Sequence, residues 1–95
     1  MNEEINVKKI EKNSIWLAQV KADGDTLSRL KPVIVWNEEG GLCQVSPIRD
    51  NKPSVGTFKV ILASETNGLA KTTYLSEDEI IDIPVTSLII HLGFL

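Results

Sequence analysis

Apolar residues come in short runs separated by polar turns, and the best-defined pair of runs lies within residues 29–50. Runs 33–36 and 42–48 are rich in β-branched residues, and the five residues 37–41 between them include two glycines. This arrangement predicts a β-hairpin with a longer loop. The first run is apolar without alternation, which is typical of a strand that is buried on both faces.

The remaining apolar runs predict further short strands. Residues 15–20 form the first candidate core strand, and the β-branched and aromatic residues 72–75 form another. Residues 57–63 alternate, which predicts a half-buried strand with Phe58, Val60 and Leu62 on one face.

Two segments near the C-terminal end leave helix and strand both open. Residues 76–79 read Ser-Glu-Asp-Glu, a capping-box pattern that normally opens a helix. Pro84 would end such a helix after two turns, so residues 80–83 fit a strand equally well. Residues 85–92 suit either a short buried helix or a last strand.

Many short strands at close spacing, with almost no helical period, predict a mainly β chain that forms a small antiparallel barrel. At most short helices are expected. The length of 95 residues suits one domain. The charged residues 1–12 fit neither period, so we predict an N-terminal extension followed by a single barrel domain over residues 13–95.

Two cations stand beside prolines in the predicted hairpin. Lys31 precedes Pro32, and Arg49 follows Pro47 by two residues. Because proline has no N–H to give to a ladder, we expect the prolines to mark strand ends, where side chains project into clefts. The sequence therefore predicts a candidate chemical site with Lys31 and Arg49 close together at one rim of the barrel.

The charge of the chain is unevenly distributed. The formal net charge is −3, which argues against strong non-specific binding to nucleic acid. Residues 29–59 nevertheless hold five cations against three anions, whereas residues 60–95 hold one cation against five anions. A basic middle on an acidic body could accept a phosphate backbone locally, and ordinary solvated strands of mixed charge are the alternative.

The start of the chain and its single cysteine predict a location. The acidic opening Met-Asn-Glu-Glu lacks the basic stretch of a signal peptide, and no apolar run approaches the length of a membrane span. Cys43 alone cannot build an internal disulfide framework. We therefore expect a cytoplasmic protein, and we predict neither a cofactor nor a metal site.

The order of five short segments resembles the PemK/MazF family, the ribosome-independent RNA-cleaving toxins of bacterial toxin–antitoxin pairs. Residues 15–18 resemble the opening strand of that family, and Lys31-Pro-Val-Ile-Val is similar to its Arg-Pro-Val-Leu-Val strand. Val45-Ser-Pro-Ile is similar to the strand that usually ends Pro-Ile-Thr-Ser. Residues 68–71 and 92–95 then follow in the order of the family, so the resemblance covers residues 13–95.

The resemblance implies a Src-homology-3-like barrel that cleaves single-stranded RNA without a metal, pairs as a homodimer and is restrained by an antitoxin. It assigns the catalytic positions to Lys31, where the family has arginine, and to Arg49, where the family has threonine or serine. Arg29 and Lys52 are the candidate RNA-binding residues. The alternative is a catalytically inert member that acts as a protein- or nucleic-acid-binding module.

Other residues that could carry chemistry have simpler interpretations. His91 lies in an apolar run, where a partly buried structural histidine is expected. Cys43, Trp16 and Trp36 are predicted to be core residues because their neighbours are aliphatic. The acidic run 77–79 with Asp82 lacks the spacing of a metal-binding loop, so a solvated turn is predicted.

The C-terminal third predicts self-association by a physical argument that is independent of the resemblance. It carries more apolar side chains than a short terminal element can easily bury, and an exposed apolar patch usually marks an interface. The alternative is that these side chains fill the interior of the barrel. The residues concerned are Ile80, Ile81, Ile83, Leu88, Ile89, Ile90, Leu92, Phe94 and Leu95.

Overall fold

The computed structural model describes residues 10–21, 27–54 and 56–95, and in these ranges the chain is built from β-strands. A short 3-10 helix, Val85–Ser87, lies between the last two strands, and no α-helix occurs in the described ranges. The mainly β prediction is confirmed. Most of the predicted extension, residues 1–12, lies outside the described residues. The strands are β1 (Ser14–Val20), β2 (Arg29–Glu39), β3 (Leu42–Arg49), β4 (Lys59–Ile61), β5 (Thr73–Leu75), β6 (Ile81–Pro84) and β7 (Leu88–Phe94).

The strands form one curled antiparallel sheet that closes into a half-barrel. Their order is β4-β5-β3-β2-β1-β7, and β6 pairs with β3 outside this path. Strand β3 has two sets of partners along its length. Its first residues pair with β2 and β6, whereas Ile48 and Arg49 pair with β5. The end of β3 is therefore the place where its partner changes from β2 to β5.

The hairpin turn is tighter than the sequence predicted. Glu39 lies opposite Leu42, so only Gly40 and Gly41 form the turn, and the predicted loop over residues 37–41 is wrong. The two glycines have φ values of 61° and 89°. Positive φ at both central residues is what a two-residue turn of the right twist requires, and glycine adopts it at no steric cost. The polar residues before the turn therefore stay in the ladder.

The two prolines of the hairpin do not mark strand ends, which corrects the sequence prediction. Strand β2 begins before Pro32, and β3 continues beyond Pro47. The prolines instead mark the end of the ladder between these strands, because Val33 opposite Pro47 is its last pair. Proline explains this limit, since it offers no N–H for a further bond.

Strand β4 is shorter than predicted, because it covers only Lys59–Ile61 of the predicted residues 57–63. Ile61 is buried, whereas Val60 and Leu62 are 55% and 69% exposed. A strand of three residues has few side chains to contribute to the core, and in β4 only Ile61 packs into the second hydrophobic cluster, described below. The structure also assigns the two segments for which the sequence allowed either helix or strand. Residues 77–78 form a turn before β6, and residues 85–92 contain the 3-10 helix and most of β7.

Two hydrophobic clusters lie on the two faces of the central strands. Val33 and Val35 point into the first cluster, and Ile34 points into the second. This arrangement confirms the prediction that the first apolar run is buried on both faces. Buried members of the first cluster are Trp16, Ala18, Val20, Val33, Val35, Cys43, Val45, Ile83 and Leu88, and those of the second are Ile15, Ile34, Ile48, Ile61 and Leu75.

Candidate functional site

A cleft of about 520 Å³ opens where the ladder between β2 and β3 ends. The start of β2 and the end of β3 supply its walls, and we call it the basic cleft because it carries three cations and one carboxylate. Its lining residues are Arg29, Leu30, Lys31, Pro32, Ile48, Arg49, Asp50 and Asn51.

The hairpin register brings Lys31 and Arg49 to this cleft. Val33 lies opposite Pro47, so the next positions toward the cleft that point to the same side of the sheet are Lys31 and Arg49. Both residues line the cleft. The structure thus brings the two predicted catalytic residues together in one cleft, and it adds Arg29 to them.

Arg49 is held by a carboxylate from the turn before β6. Its Nη2 lies 2.5 Å from Oε1 of Glu79, in a partly buried ion pair. The hydroxyl of Ser46 donates to the carbonyl oxygen of Glu79 over 2.6 Å and accepts a bond from Nε1 of Trp36 over 2.8 Å. This chain of bonds fixes the turn to β2 and β3, so the guanidinium of Arg49 has a defined position.

Asp50 is the carboxylate of the basic cleft. It lies 3.4 Å from the ammonium of Lys71, and both side chains are mostly exposed to solvent. Water screens such a pair strongly, so it restrains Asp50 only weakly. Its carboxylate can accept a hydrogen bond from a bound hydroxyl group.

Lys52, a predicted RNA-binding residue, lies outside the lining of the basic cleft. Its ammonium is 5.7 Å from the centroid of the Phe58 ring, within cation–π distance. Phe58 in turn meets Tyr74 edge to face, with ring centroids 5.8 Å apart and an angle of 75° between the planes. Tyr74 lies opposite Arg49 in the β3–β5 pairing.

Four other singled-out residues lie outside the lining of the basic cleft. Cys43 is fully buried in the first cluster, and Trp16 is also a member, so both predictions of a core role are confirmed. Trp36 is only half-buried. His91 is exposed rather than partly buried, and its ring lies 5.0 Å from the ring centroids of Trp16 and Phe94. Its exposure follows from its position on an edge strand.

The acidic run 77–79 lies beside a second cleft, of about 420 Å³, which we call the acidic cleft. Asp78 accepts a hydrogen bond from the hydroxyl of Thr57 over 2.8 Å, and Glu77 pairs with Lys59 at 3.5 Å. Among the described residues, no three side chains of metal-binding type come together. The residues lining the acidic cleft are Gly56, Thr57, Ser76, Asp78, Glu79, Ile80 and Ile81.

Some residues that surround Lys31 and Arg49 could have been predicted from the sequence, and others could not. Asp50 follows Arg49 directly, so the same strand end that singled out Arg49 could have included it. Glu79 lies thirty residues further along the chain, and no local pattern connects it to Arg49. Tyr74 and Phe58 each read as strand residues, and only the pairing of β3, β4 and β5 brings them beside the cleft.

No protein-family model and no curated protein matches this chain. The resemblance to PemK/MazF toxins therefore rests on the five segments quoted above and stays a prediction. Within the part of the chain that the structure describes, no helix is long and apolar enough to span a membrane.

Proposed function

We propose that this protein binds single-stranded RNA in the basic cleft and cleaves it without a metal ion, as a cytoplasmic toxin of the PemK/MazF kind. The supporting observation is that Arg29, Lys31 and Arg49 line one cleft on a chain whose net charge is −3. Cations collected on an acidic body attract a polyanion to one place and repel it elsewhere.

Metal-free cleavage requires attack by a ribose 2′-oxygen on the adjacent phosphorus and departure of the 5′-oxygen. Negative charge grows on the phosphoryl oxygens during this step, and we assign its stabilisation to Lys31 and Arg49, which both line the cleft. Asp50 is the one carboxylate among the described lining residues, so we assign it the role of general base, which accepts the proton of the 2′-hydroxyl. The ammonium of Lys31 supplies a proton to the departing 5′-oxygen.

The test is incubation of the purified protein with a long RNA of mixed sequence in EDTA, followed by primer extension. We expect discrete cuts with the natural chain and a loss of about 10-fold or more with Lys31→Ala, since removing a preorganised donor typically costs about 10²- to 10³-fold. Lys12→Ala is the matched control. It removes the same charge from an exposed residue at the opposite end of β1, away from the cleft.

Arg49 is tested in the same assay. Arg49→Ala should also reduce cleavage by about 10-fold or more, because the guanidinium stabilises the same developing charge. Equal activity in the Lys31 and Arg49 variants and the natural chain would place the chemistry outside the basic cleft. Uncut RNA in every lane would reject cleavage altogether.

The ion pair between Arg49 and Glu79 favours a second candidate, a module that binds RNA without cutting it. A carboxylate 2.5 Å from the guanidinium neutralises one of the three cations, and lysine is a poorer phosphate clamp than arginine. Uncut RNA that is nevertheless retained by the protein in a filter-binding assay would support this candidate over the nuclease.

A homodimer belongs to the same proposal, and strand β7 supports it. β7 ends the strand order, and its Ile89 and Ile90 are 51% and 50% exposed. An edge strand with exposed apolar side chains is a site for pairing, and two-fold self-contact is the commonest arrangement. The apolar residues of the C-terminal third therefore have two different environments. Ile83 and Leu88 are buried in the first cluster, whereas Ile80, Ile89, Ile90 and Leu95 are exposed.

Sedimentation equilibrium at micromolar concentration tests the dimer. A mass of twice 10.5 kDa is expected, and a mass of one chain across the range would reject it. The restraining antitoxin, which the resemblance implies, is tested by co-expression with the product of a neighbouring gene. A stable complex that no longer cuts RNA is the expected result.

A further inference from the structure

We propose that Tyr74 and Phe58 form a base-stacking platform that continues the basic cleft and takes the nucleobases of a single-stranded nucleic acid. This inference rests on the proposed function, because it names how the same site would hold the bases of its ligand. The platform comprises these two rings and the ammonium of Lys52.

Strand pairing places the platform directly beside the cleft. Tyr74 of β5 lies opposite Arg49 of β3, and residues opposite one another in an antiparallel pair project to the same side of the sheet. Their Cβ atoms are typically about 4.5–5.5 Å apart. The ring of Tyr74 therefore begins where the cationic lining of the cleft ends.

The two rings extend this surface away from the cleft. Phe58 meets Tyr74 edge to face at 5.8 Å, and the ammonium of Lys52 lies 5.7 Å from the Phe58 ring. A path from Lys31 across Arg49 thus meets two aromatic rings and then a third cation. Cations that contact the backbone, next to rings on which bases stack, are the usual parts of a single-strand binding surface.

The hydrophobic core does not account for these rings. Along β5 the side chains on either side of Tyr74, those of Thr73 and Leu75, are buried, and Leu75 belongs to the second cluster. Alternation therefore directs Tyr74 away from that cluster. Tyr74 and Phe58 are both half-buried, so neither residue is fully enclosed by the protein.

Charge favours a nucleic acid over a protein segment as the occupant. Cations stand at both ends of the aromatic pair, Arg49 beside Tyr74 and Lys52 beside Phe58. A strand with a phosphate at every nucleotide and a flat base between phosphates matches this order. Base stacking on an aromatic side chain contributes roughly 5- to 150-fold in affinity for each base.

The test is fluorescence anisotropy with labelled eight-nucleotide strands of 2′-O-methyl uridine, which cannot be cleaved by their own 2′-oxygen, and of deoxythymidine. Tyr74→Ala should weaken binding by roughly 5- to 150-fold, and Tyr74→Phe should stay within about twofold of the natural chain. His91→Ala is the aromatic control, since His91 is exposed on strand β7. It should leave the affinity unchanged.

An abasic strand of the same length separates stacking from a structural role. The natural chain and Tyr74→Ala should bind this strand alike, because it offers phosphates but no bases. If Tyr74→Ala weakens both strands equally, the platform is rejected. If Tyr74→Ala fails to fold, the test uses the natural chain and a strand that contains 2-aminopurine. Quenching of the 2-aminopurine fluorescence on binding supports stacking, and unquenched fluorescence in the bound strand overturns the platform.

The failures of the two proposals are distinguishable. Binding of the deoxy and 2′-O-methyl strands through Tyr74, without any cut in natural RNA, supports the platform and rejects the nuclease. Cleavage that does not change in Tyr74→Ala, with equal affinity for abasic and natural strands, rejects the platform alone. No binding of any strand by the natural chain rejects both. Preference between the two sugars then tells whether the platform serves RNA or any single strand.

Discussion

The basic and acidic clefts are of similar size, yet the backbone presents their charges in different ways. In the basic cleft, Arg29 and Lys31 stand on β2 where it pairs with β1, and Arg49 stands on β3 where it pairs with β5. In the acidic cleft, the carboxylates of Asp78 and Glu79 come from the turn between β5 and β6. Backbone pairing sets the direction of a side chain on a strand, whereas the direction of a side chain in a turn depends on the hydrogen bonds and ion pairs that it makes.

One ion pair joins the two clefts. Arg49 lines the basic cleft, Glu79 lines the acidic cleft, and their charged groups meet at 2.5 Å. An anion that enters the basic cleft must therefore compete with a carboxylate of the protein for Arg49. We therefore expect Glu79 to lower the affinity of the basic cleft for the proposed RNA ligand without contacting that ligand.

Reversing the charge of Arg49 should have the largest effect on RNA affinity, because it removes a cation from the basic cleft and breaks the ion pair with Glu79. Arg49→Glu places two carboxylates together and a negative charge in the basic cleft, and like charges in contact cost several kcal/mol. We expect RNA affinity to fall by roughly 100-fold. Filter binding measures the affinity, and urea denaturation measures the free energy of unfolding.

The double variant Arg49→Glu/Glu79→Arg serves as the control for this prediction. It restores an ion pair of opposite orientation, so stability should recover while RNA affinity stays low. Recovery of both quantities would show that the pair matters for folding alone and that the sign of the charge in the cleft has no effect on binding.

Salt should weaken binding in proportion to the cations of the basic cleft. Each neutralised phosphate of a single strand contributes about 0.7 to the slope of log affinity against log salt, so three cations give a slope of about −2. Affinity should therefore fall about 20-fold between roughly 50 and 200 mM salt. Lys31→Ala should reduce the slope by about 0.7, and an unchanged slope would exclude Lys31 from phosphate contact.

Removing the charge of Glu79 should tighten RNA binding by a smaller factor. Glu79→Gln keeps a side chain that can still accept a bond from Arg49, but it no longer competes with phosphate as an anion. We expect an affinity gain of about threefold, since a charge-assisted bond is about twice as strong as a neutral one. Glu77→Gln, in the same turn but paired with Lys59, is the control and should change nothing.

The smallest effect is expected at the rim of the acidic cleft. Thr57→Val removes the hydroxyl that bonds Asp78, and because this bond is exposed the loss in unfolding free energy should be below about 0.5 kcal/mol. RNA affinity should not change. A loss of affinity in titrations of this variant would show that the acidic cleft contacts the ligand directly.

The sequence predicted those parts of the fold that depend on neighbours along the chain. The hairpin of β2 and β3 follows from the apolar runs and the glycines between them, whereas the approach of Lys31 to Arg49 was predicted from prolines that do not mark strand ends. The short length of β4 was missed because alternation over residues 57–63 does not tell how many of them pair with a neighbouring strand. Glu79 was missed because its approach to Arg49 depends on a contact across thirty residues.

The burial of Cys43 gives the molecule a built-in chemical reporter. This thiol is the chain's single one, it is 0% exposed, and it lies on β3 within the first cluster. A thiol-specific reagent can reach it only when the strands around it separate. The rate of labelling at rising urea concentrations therefore times the opening of the half-barrel, without any mutation and with every charge of the basic cleft in place.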